Sequence, residues 1–260
     1  MSSSLVRLHG DPPTHLTFVA LEALGVPHLS TTRHCPGIVH AGRRAAPIGL
    51  EAGDLLRRHG LEVRRLAFLD QVHGAAVIRA DGSKRGAAGR GDVLLTSTPG
   101  IPLAVFAADC LALILYDPVR ALLAVVHAGW RGTIAGAARA AVDALAAAGS
   151  SLPDLLAAIA PSIGPCCYEV DRPVIEPLGE AFPHAWEGWA RAVSPGKWML
   201  DLWQANEFQL AAAGVSPERI LNPRLCTSCR RDLFCSYRKE GSSGRLLTLA
   251  SIPVGRRSAS

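Results

Sequence analysis

Short runs of branched apolar residues, each bounded by Gly, Pro or Asp, dominate the middle of the chain. Runs of this length and composition are typical of buried β-strands. They predict strands at Leu66–Leu69, Ala75–Arg79, Val93–Thr96, Leu103–Ala107, Leu111–Tyr116, Leu122–Val126 and Leu155–Ala160, and a last strand at Arg245–Ser251.

Apolar residues recur at helical spacing in other segments. They predict an amphipathic helix from Thr133 to Ala148, ended by Gly149, and further helices at Glu51–Gly60, Val174–Phe182 and Leu202–Ala213. Segments 31–49 and Lys84–Gly91, which are rich in glycine and basic residues, are predicted to be loops. Because strands and helices alternate irregularly, we expect an α+β fold, a layered sandwich of mixed β-sheets flanked by helices.

The chain has 260 residues, 49% of them hydrophobic, which is enough for a single domain over residues 1–260. No apolar window is long enough to span a bilayer and no signal peptide is visible, so we expect a cytoplasmic protein with no membrane partner. Composition does not decide the oligomeric state, and a monomer is compatible with it.

The net charge of +5 comes from scattered basic residues, and aromatic residues make up only 5% of the chain. A nucleic-acid surface normally shows a basic stripe, often with stacking aromatics, so no nucleic-acid partner is expected. A mildly positive field suits a small anion such as phosphate.

Three residues that can bind metal stand beside the predicted central strands. They are His73 in Gln71-Val-His-Gly74, Cys110 in Ala108-Asp-Cys110 and His127 in Val126-His-Ala-Gly-Trp-Arg-Gly132. Two imidazoles and a thiolate form a natural zinc set, and three protein ligands leave a fourth position open for water or substrate. Their separations match no short metal motif, so the alternative of a buried cysteine and two hydrogen-bonded histidines stays open.

Several polar residues near these three are predicted to support the site or to contact substrate. Asp109 could accept a hydrogen bond from a metal-bound imidazole, or it could cap a neighbouring loop. Glycines and Arg131 before the helix predicted at Thr133 indicate an anion site. Together with Arg131, the residues Gln71, Asp109 and Arg33 are expected to contact substrate, Arg33 from a charged turn at the pocket rim.

The remaining cysteines allow several interpretations. The adjacent pair Cys166-Cys167 is assigned to packing, with a redox or lining role as the alternative. Cys226, Cys229 and Cys235 could form a second metal or redox site, but an all-cysteine zinc site needs a fourth ligand and no second Cys-x-x-Cys is present. A redox or partner-binding module built on these three is a non-enzymatic alternative.

Several motifs, in this order, resemble a known family. They are Asp70-Gln-Val-His-Gly74, Gly91-Asp-Val93, Ala108-Asp-Cys110, His127-Ala-Gly-Trp-Arg-Gly132, Ser162-Ile-Gly-Pro-Cys-Cys-Tyr-Glu-Val170, Cys226-Thr227 and Ser236-Tyr-Arg238. The chain resembles, from about Ser30 to Leu249, the YfiH-type family first described as polyphenol oxidase or laccase-domain proteins and now associated with purine nucleoside phosphorylase and adenosine deaminase activities.

The resemblance implies a zinc ion held by His73, Cys110 and His127 as catalytic residues, and a fold distantly similar to cytotoxic necrotizing factor toxins. It also implies phosphorolysis of adenosine, inosine, guanosine or methylthioadenosine, with adenosine deamination. Copper fits less well, because a laccase needs several coppers and many histidines. The alternative is a cysteine hydrolase or amidase using Cys110 and His127, in one version editing peptidoglycan precursors.

Overall fold

The computed structural model describes residues 5–38, 48–82, 86–241 and 244–255. In these ranges the strands form three sheets. The largest, sheet 1, has seven strands, with both parallel and antiparallel pairs. From edge to edge, sheet 1 contains β1 Val6–Gly10, β2 Pro13–Phe18, β3 His28–Thr31, β16 Leu246–Ala250, β8 Leu103–Ala107, β4 Ala67–Asp70 and β6 Gly86–Arg90.

Sheet 2 is also mixed, and sheet 3 is small and antiparallel. In spatial order, sheet 2 contains β15 Ile220–Leu221, β11 Leu156–Ile159, β9 Leu111–Asp117, β10 Leu122–Ala128, β7 Val93–Thr96 and β5 Val77–Arg79. Sheet 3 contains β12 Glu169–Asp171, β14 Lys197–Leu200 and β13 Ala190–Ser194.

The helices are short. They are α1 Val19–Ala23, α2 Leu50–Arg58, α3 Trp130–Ile134, α4 Ala137–Ala147, α5 Arg172–Ala181, α6 Leu202–Ala212 and α7 Tyr237–Glu240. Of these, α2, α4, α5 and α6 cover the outer faces of the large sheets. Single 3-10 turns lie at Val63–Arg65, Leu152–Asp154, Trp186–Gly188 and Pro217–Arg219.

Alternating side chains of the central strands build two separate apolar layers. Along β9, Leu113 and Leu115 pack in the layer that includes α4, α5 and α6, whereas Ile114 packs in the layer between sheets 1 and 2. Successive side chains of a strand point to opposite faces of the sheet. A strand that is covered on both faces therefore has a continuous run of apolar residues. A third cluster packs α2 against the other face of sheet 1.

The expected α+β sandwich of mixed sheets with flanking helices is confirmed. The strands predicted at Val93–Thr96 and Leu103–Ala107 have the observed bounds, and the other predicted strands are present with shifts of one or two residues at their ends. The similarity to toxins stays a prediction. None of the helices in the described ranges combines the length and apolarity needed to cross a membrane.

Two local predictions are wrong. Residues 86–90, expected to lie in a loop, form strand β6, because their backbone pairs in parallel with β4 at the edge of sheet 1, a contact that their Gly- and Ala-rich composition does not indicate. The helix predicted from Thr133 to Ala148 is two helices, α3 and α4, separated at Gly136, whose φ of 77° is left-handed. The loop predicted over 31–49 lies partly outside the described residues, at 39–47.

Candidate metal and substrate site

The structure brings His73, Cys110 and His127 together at one end of the two large sheets. Their ligand atoms all lie within 4.8 Å of one another, although the residues are far apart in the sequence. The rings of His73 and His127 are nearly perpendicular, with centroids 4.9 Å apart. Two imidazoles and a thiol at these separations can surround a single metal ion, so the donor set fits the zinc implied by the resemblance.

Each of the three residues is positioned by the end of a strand. His73 lies in the turn after β4, Cys110 lies between β8 and β9, and His127 is the penultimate residue of β10. His73, in the turn after β4, has a φ angle of 61°, and Asp109, in the turn between β8 and β9, has a φ angle of 82°. Residues other than glycine seldom adopt this region. Such conformations cluster at functional sites, where the surrounding structure maintains them.

Asp92 connects the two histidines. This carboxylate is fully buried, and it accepts backbone hydrogen bonds from Val72, His73 and Gly74 at 3.2, 3.0 and 2.7 Å. Its Oδ1 also accepts a hydrogen bond from Nδ1 of His127 at 2.8 Å. Asp92 therefore holds the His73 turn and orients the His127 ring, leaving Nε2 as the His127 nitrogen available to a metal.

The acidic partner of a ligand histidine is thus Asp92 rather than Asp109. The Asp109 carboxylate accepts hydrogen bonds from Oγ1 of Thr227 and the backbone N–H of Arg238, both at 2.6 Å. Of the two roles left open for Asp109, loop capping is the one observed. Asp92 was missed, although an acidic residue directly before a buried Val-Leu-Leu run is a usable signal, since a buried carboxylate needs partners.

Hydrogen bonds within the cluster favour the charged forms of Cys110 and His127. Burial raises the pKa of the Cys110 thiol, but hydrogen bonds with His127 and His73 outweigh it and lower the pKa to about 6. Burial lowers the pKa of His127, but its hydrogen bonds with Asp92 and Cys110 raise the pKa to about 9. A thiolate is the form of cysteine that binds metals and acts as a nucleophile.

Gly129 lies so close to the cluster of His73, Cys110 and His127 that it leaves no space for a side chain. A Cβ at this position would lie 2.7 Å from Sγ of Cys110 and 3.4 Å from Cδ2 of His73. The first distance is well below van der Waals contact, so only glycine allows the segment between β10 and α3 to pass this close to Cys110 and His73.

The other residues predicted to contact substrate differ in their hydrogen bonds and in their exposure. The Gln71 amide exchanges two 2.8 Å hydrogen bonds with the backbone of Phe106, which fixes the turn to β8. Arg33 donates to the carbonyl of Arg231 and pairs with Glu240 at 3.0 Å. Arg131 is exposed, and its guanidinium lies 4.1 Å from the centre of the Trp130 ring.

Tyr168 and Arg238 stand in two of the sequence motifs but were given no role of their own there, and they are further candidate site residues. Burial raises the pKa of Tyr168, the charge of Cys110 raises it further, and Arg238 and Arg131 oppose this. The Arg238 guanidinium lies 4.9 Å from the centre of the Tyr168 ring. The buried Tyr168 ring therefore contacts the Arg238 guanidinium, and the backbone N–H of Arg238 binds Asp109, the residue before Cys110.

A layered α+β fold with a two-histidine, one-cysteine cluster defines the class of protein. The chain belongs to the family described as multi-copper polyphenol oxidoreductase laccase, whose model matches residues 39–253. This confirms the resemblance found in the sequence.

Named relatives and solved structures agree with this membership. The chain is 38% identical over 205 residues to purine nucleoside phosphorylase YlmD of Geobacillus stearothermophilus, covering 75% of this chain and 73% of that protein. It is 34% identical to adenosine deaminase RL5 of an unknown prokaryotic organism, covering 78% and 77%. The crystal structure of the Geobacillus YlmD superposes with a TM-score of 0.82 and 31% identity, covering 95% of this chain and 98% of that one.

Proposed function

We propose that this protein is a zinc-dependent purine nucleoside phosphorylase with adenosine deaminase activity. The observation that carries the proposal is the convergence of His73, Cys110 and His127 on one point, in a chain related to proteins named for both activities. Adenosine, inosine, guanosine and methylthioadenosine are the proposed nucleosides, and phosphate is the second substrate.

His73, Cys110 and His127 would hold the metal, which when bound supplies Lewis acidity in the pocket. Asp92 keeps the His127 ring in one orientation by accepting a hydrogen bond from Nδ1–H, so that Nε2 faces the cluster. Zinc is favoured over a copper centre of the laccase type because a laccase needs several coppers and many histidine ligands, whereas among the described residues only this one group of possible ligands contains histidines, two in number.

The arginines near the cluster are the residues proposed to bind phosphate. Helix α3 has only five residues and offers a weak dipole, so the predicted anion site depends on Arg131 rather than on the helix start. Arg238 lies over the Tyr168 ring and Arg131 adds positive charge to the same region, and the two would hold phosphate against the anomeric carbon of the ribose. A phosphate oxygen forms the new bond to that carbon, and the purine leaves with the electron pair of the broken glycosidic bond.

Tyr168 is suited to a hydrogen-bonding role in this reaction. Because burial raises its pKa, the phenol keeps its proton at neutral pH and can donate a hydrogen bond. A donor aimed at charge that develops in the transition state lowers the barrier, and either the purine or phosphate offers an acceptor.

The test is to incubate purified protein with inosine and with adenosine, with and without phosphate, and to follow free base and deaminated nucleoside. Phosphate-dependent base release by the wild type, absent in His127→Ala, supports phosphorolysis. Inosine formed from adenosine without phosphate reports the deaminase activity. If the wild type releases no more product than His127→Ala, the proposal fails.

A second candidate is a cysteine hydrolase, favoured by one observation. The lowered pKa of Cys110 beside the raised pKa of His127 corresponds to a thiolate–imidazolium pair, the arrangement that activates a cysteine nucleophile. Rapid alkylation of Cys110 by iodoacetamide in zinc-supplied protein would favour this candidate, whereas stoichiometric zinc that protects Cys110 would argue against it.

A further inference from the structure

Four cysteines that the proposed function does not use converge on a second point. Cys166, Cys167, Cys226 and Cys229 present sulfur atoms that all lie within 4.8 Å of one another. Sγ of Cys229 lies 3.4 Å from Sγ of Cys166 and 3.5 Å from Sγ of Cys167. Cys235 is not a member of this group, so the Cys226-x-x-Cys229 segment lacks two ligands of a four-cysteine site, and the Cys166-Cys167 pair supplies both.

The spacing of the four sulfurs suits a tetrahedral metal. With Zn–S bonds of about 2.3 Å, the sulfurs of a tetrahedral site are separated by about 3.8 Å. Cys166 and Cys167 can face the same point because they lie in a turn, closed by hydrogen bonds from the N–H groups of Cys167 and Tyr168 to the carbonyl of Gly164. Packing does not account for the group, since Cys166 and Cys229 are exposed.

The backbone around the cluster is already ordered. Residues Ser162 and Cys226 form a parallel bridge, with hydrogen bonds from the N–H of Ser162 to Leu225 and from the N–H of Thr227 to Ser162. The N–H of Gly164 points at Sγ of Cys226 at 3.3 Å. Backbone N–H groups directed at a thiolate sulfur stabilise its charge, as neighbours of ligands do in metal sites.

We propose that Cys166, Cys167, Cys226 and Cys229 bind a second zinc ion with a structural role. Four thiolates close the coordination sphere, which is the pattern of a structural site rather than a catalytic one, and each thiol gives its proton to solvent on binding. The ion would join segment 162–168 to segment 226–229. These segments border the first cluster, because Thr227 binds the Asp109 carboxylate and Tyr168 lies near Cys110.

The first test is zinc content by mass spectrometry of protein produced with zinc in the medium. The double variant Cys166→Ser/Cys229→Ser should contain one zinc per chain fewer than the wild type. Cys35→Ala, which removes a buried thiol outside the cluster, should leave zinc content unchanged. Equal zinc in the double variant and the wild type would overturn the proposal.

The second test does not need the double variant to fold. Cys110→Ala protein, stripped of metal under reducing conditions, is titrated with Co²⁺. One equivalent should produce the thiolate-to-cobalt charge-transfer and visible bands of a tetrahedral all-sulfur site, and one equivalent of Zn²⁺ should remove them. Absence of these bands would overturn the proposal. Loss of phosphorolysis alone would bear only on the first cluster, so the two accounts can fail separately.

Discussion

Nδ1 of His127 donates to Oδ1 of Asp92 over 2.8 Å, and both side chains are buried. The same carboxylate closes the turn that carries His73. One acidic residue therefore sets the positions of two of the three proposed ligands.

We predict that Asp92→Asn lowers zinc affinity at the first cluster by about 10- to 100-fold, because partners of ligand histidines contribute on this scale. Competition with a fluorescent chelator measures the affinity. Asp143→Asn is the matched control, since that carboxylate pairs with Arg139 on the exposed face of α4. Unchanged affinity in Asp92→Asn would contradict the role of this residue.

We predict that Gly129→Ala displaces Cys110 and removes metal binding and activity together. The added Cβ would meet Sγ at 2.7 Å, and crowding of this kind also costs about 1–3 kcal/mol of stability. Zinc content and thermal unfolding measure the two effects. Gly188→Ala is the control, because no atom lies within 4 Å of its added Cβ. Wild-type zinc content in Gly129→Ala would disprove the close approach.

We predict that Arg131→Ala raises the KM for phosphate by about 10- to 100-fold, the loss expected for a charge-assisted hydrogen bond. The KM for inosine should change much less, since Arg131 is assigned to phosphate alone. Arg139→Ala, also an exposed arginine of the following helix, is the control. A similar rise in both variants would assign the effect to general surface charge.

We predict that acid destabilises the fold through a histidine cluster away from the site. Burial, together with the nearby His59, His9 and Arg58, lowers the pKa of His15 from 6.5 to about 4. The rings of His9 and His15 are stacked, with centroids 4.6 Å apart. Because the unfolded chain takes up the proton first, stability should fall by about 1–3 kcal/mol as pH drops from 6.5 to 4, and level off below.

Urea unfolding at several pH values measures this dependence. His15→Phe keeps an aromatic ring in place and should flatten the decline over that range, whereas the same change at the exposed His184 should not. An unchanged slope in His15→Phe would show that His15 does not cause the decline.

The central strands could be predicted because β7, β8, β9 and β10 are covered on both faces and read as continuous apolar runs. Strand β6 could not, since it forms by pairing with β4, and its Gly- and Ala-rich composition does not distinguish it from a loop. The break at Gly136 was missed for a related reason: a single glycine is tolerated in many helices, and only the packing around it decides.

The same contrast holds for the sites. His73, Cys110 and His127 could be proposed because each stands beside a recognisable strand. The partnership of Asp92 with His127 depends on how β7 and β10 pair, and the four-cysteine group joins residues about 60 positions apart. Contacts between distant segments follow from topology, which local patterns do not contain.

X-ray absorption at the zinc edge tests the central claim most directly. The measurement uses Cys166→Ser/Cys229→Ser protein, in which the first cluster alone remains. The account predicts one zinc with two imidazole nitrogens, one sulfur and one further light-atom ligand. Zinc without a sulfur ligand, or a spectrum that Cys110→Ala leaves unchanged, would contradict it.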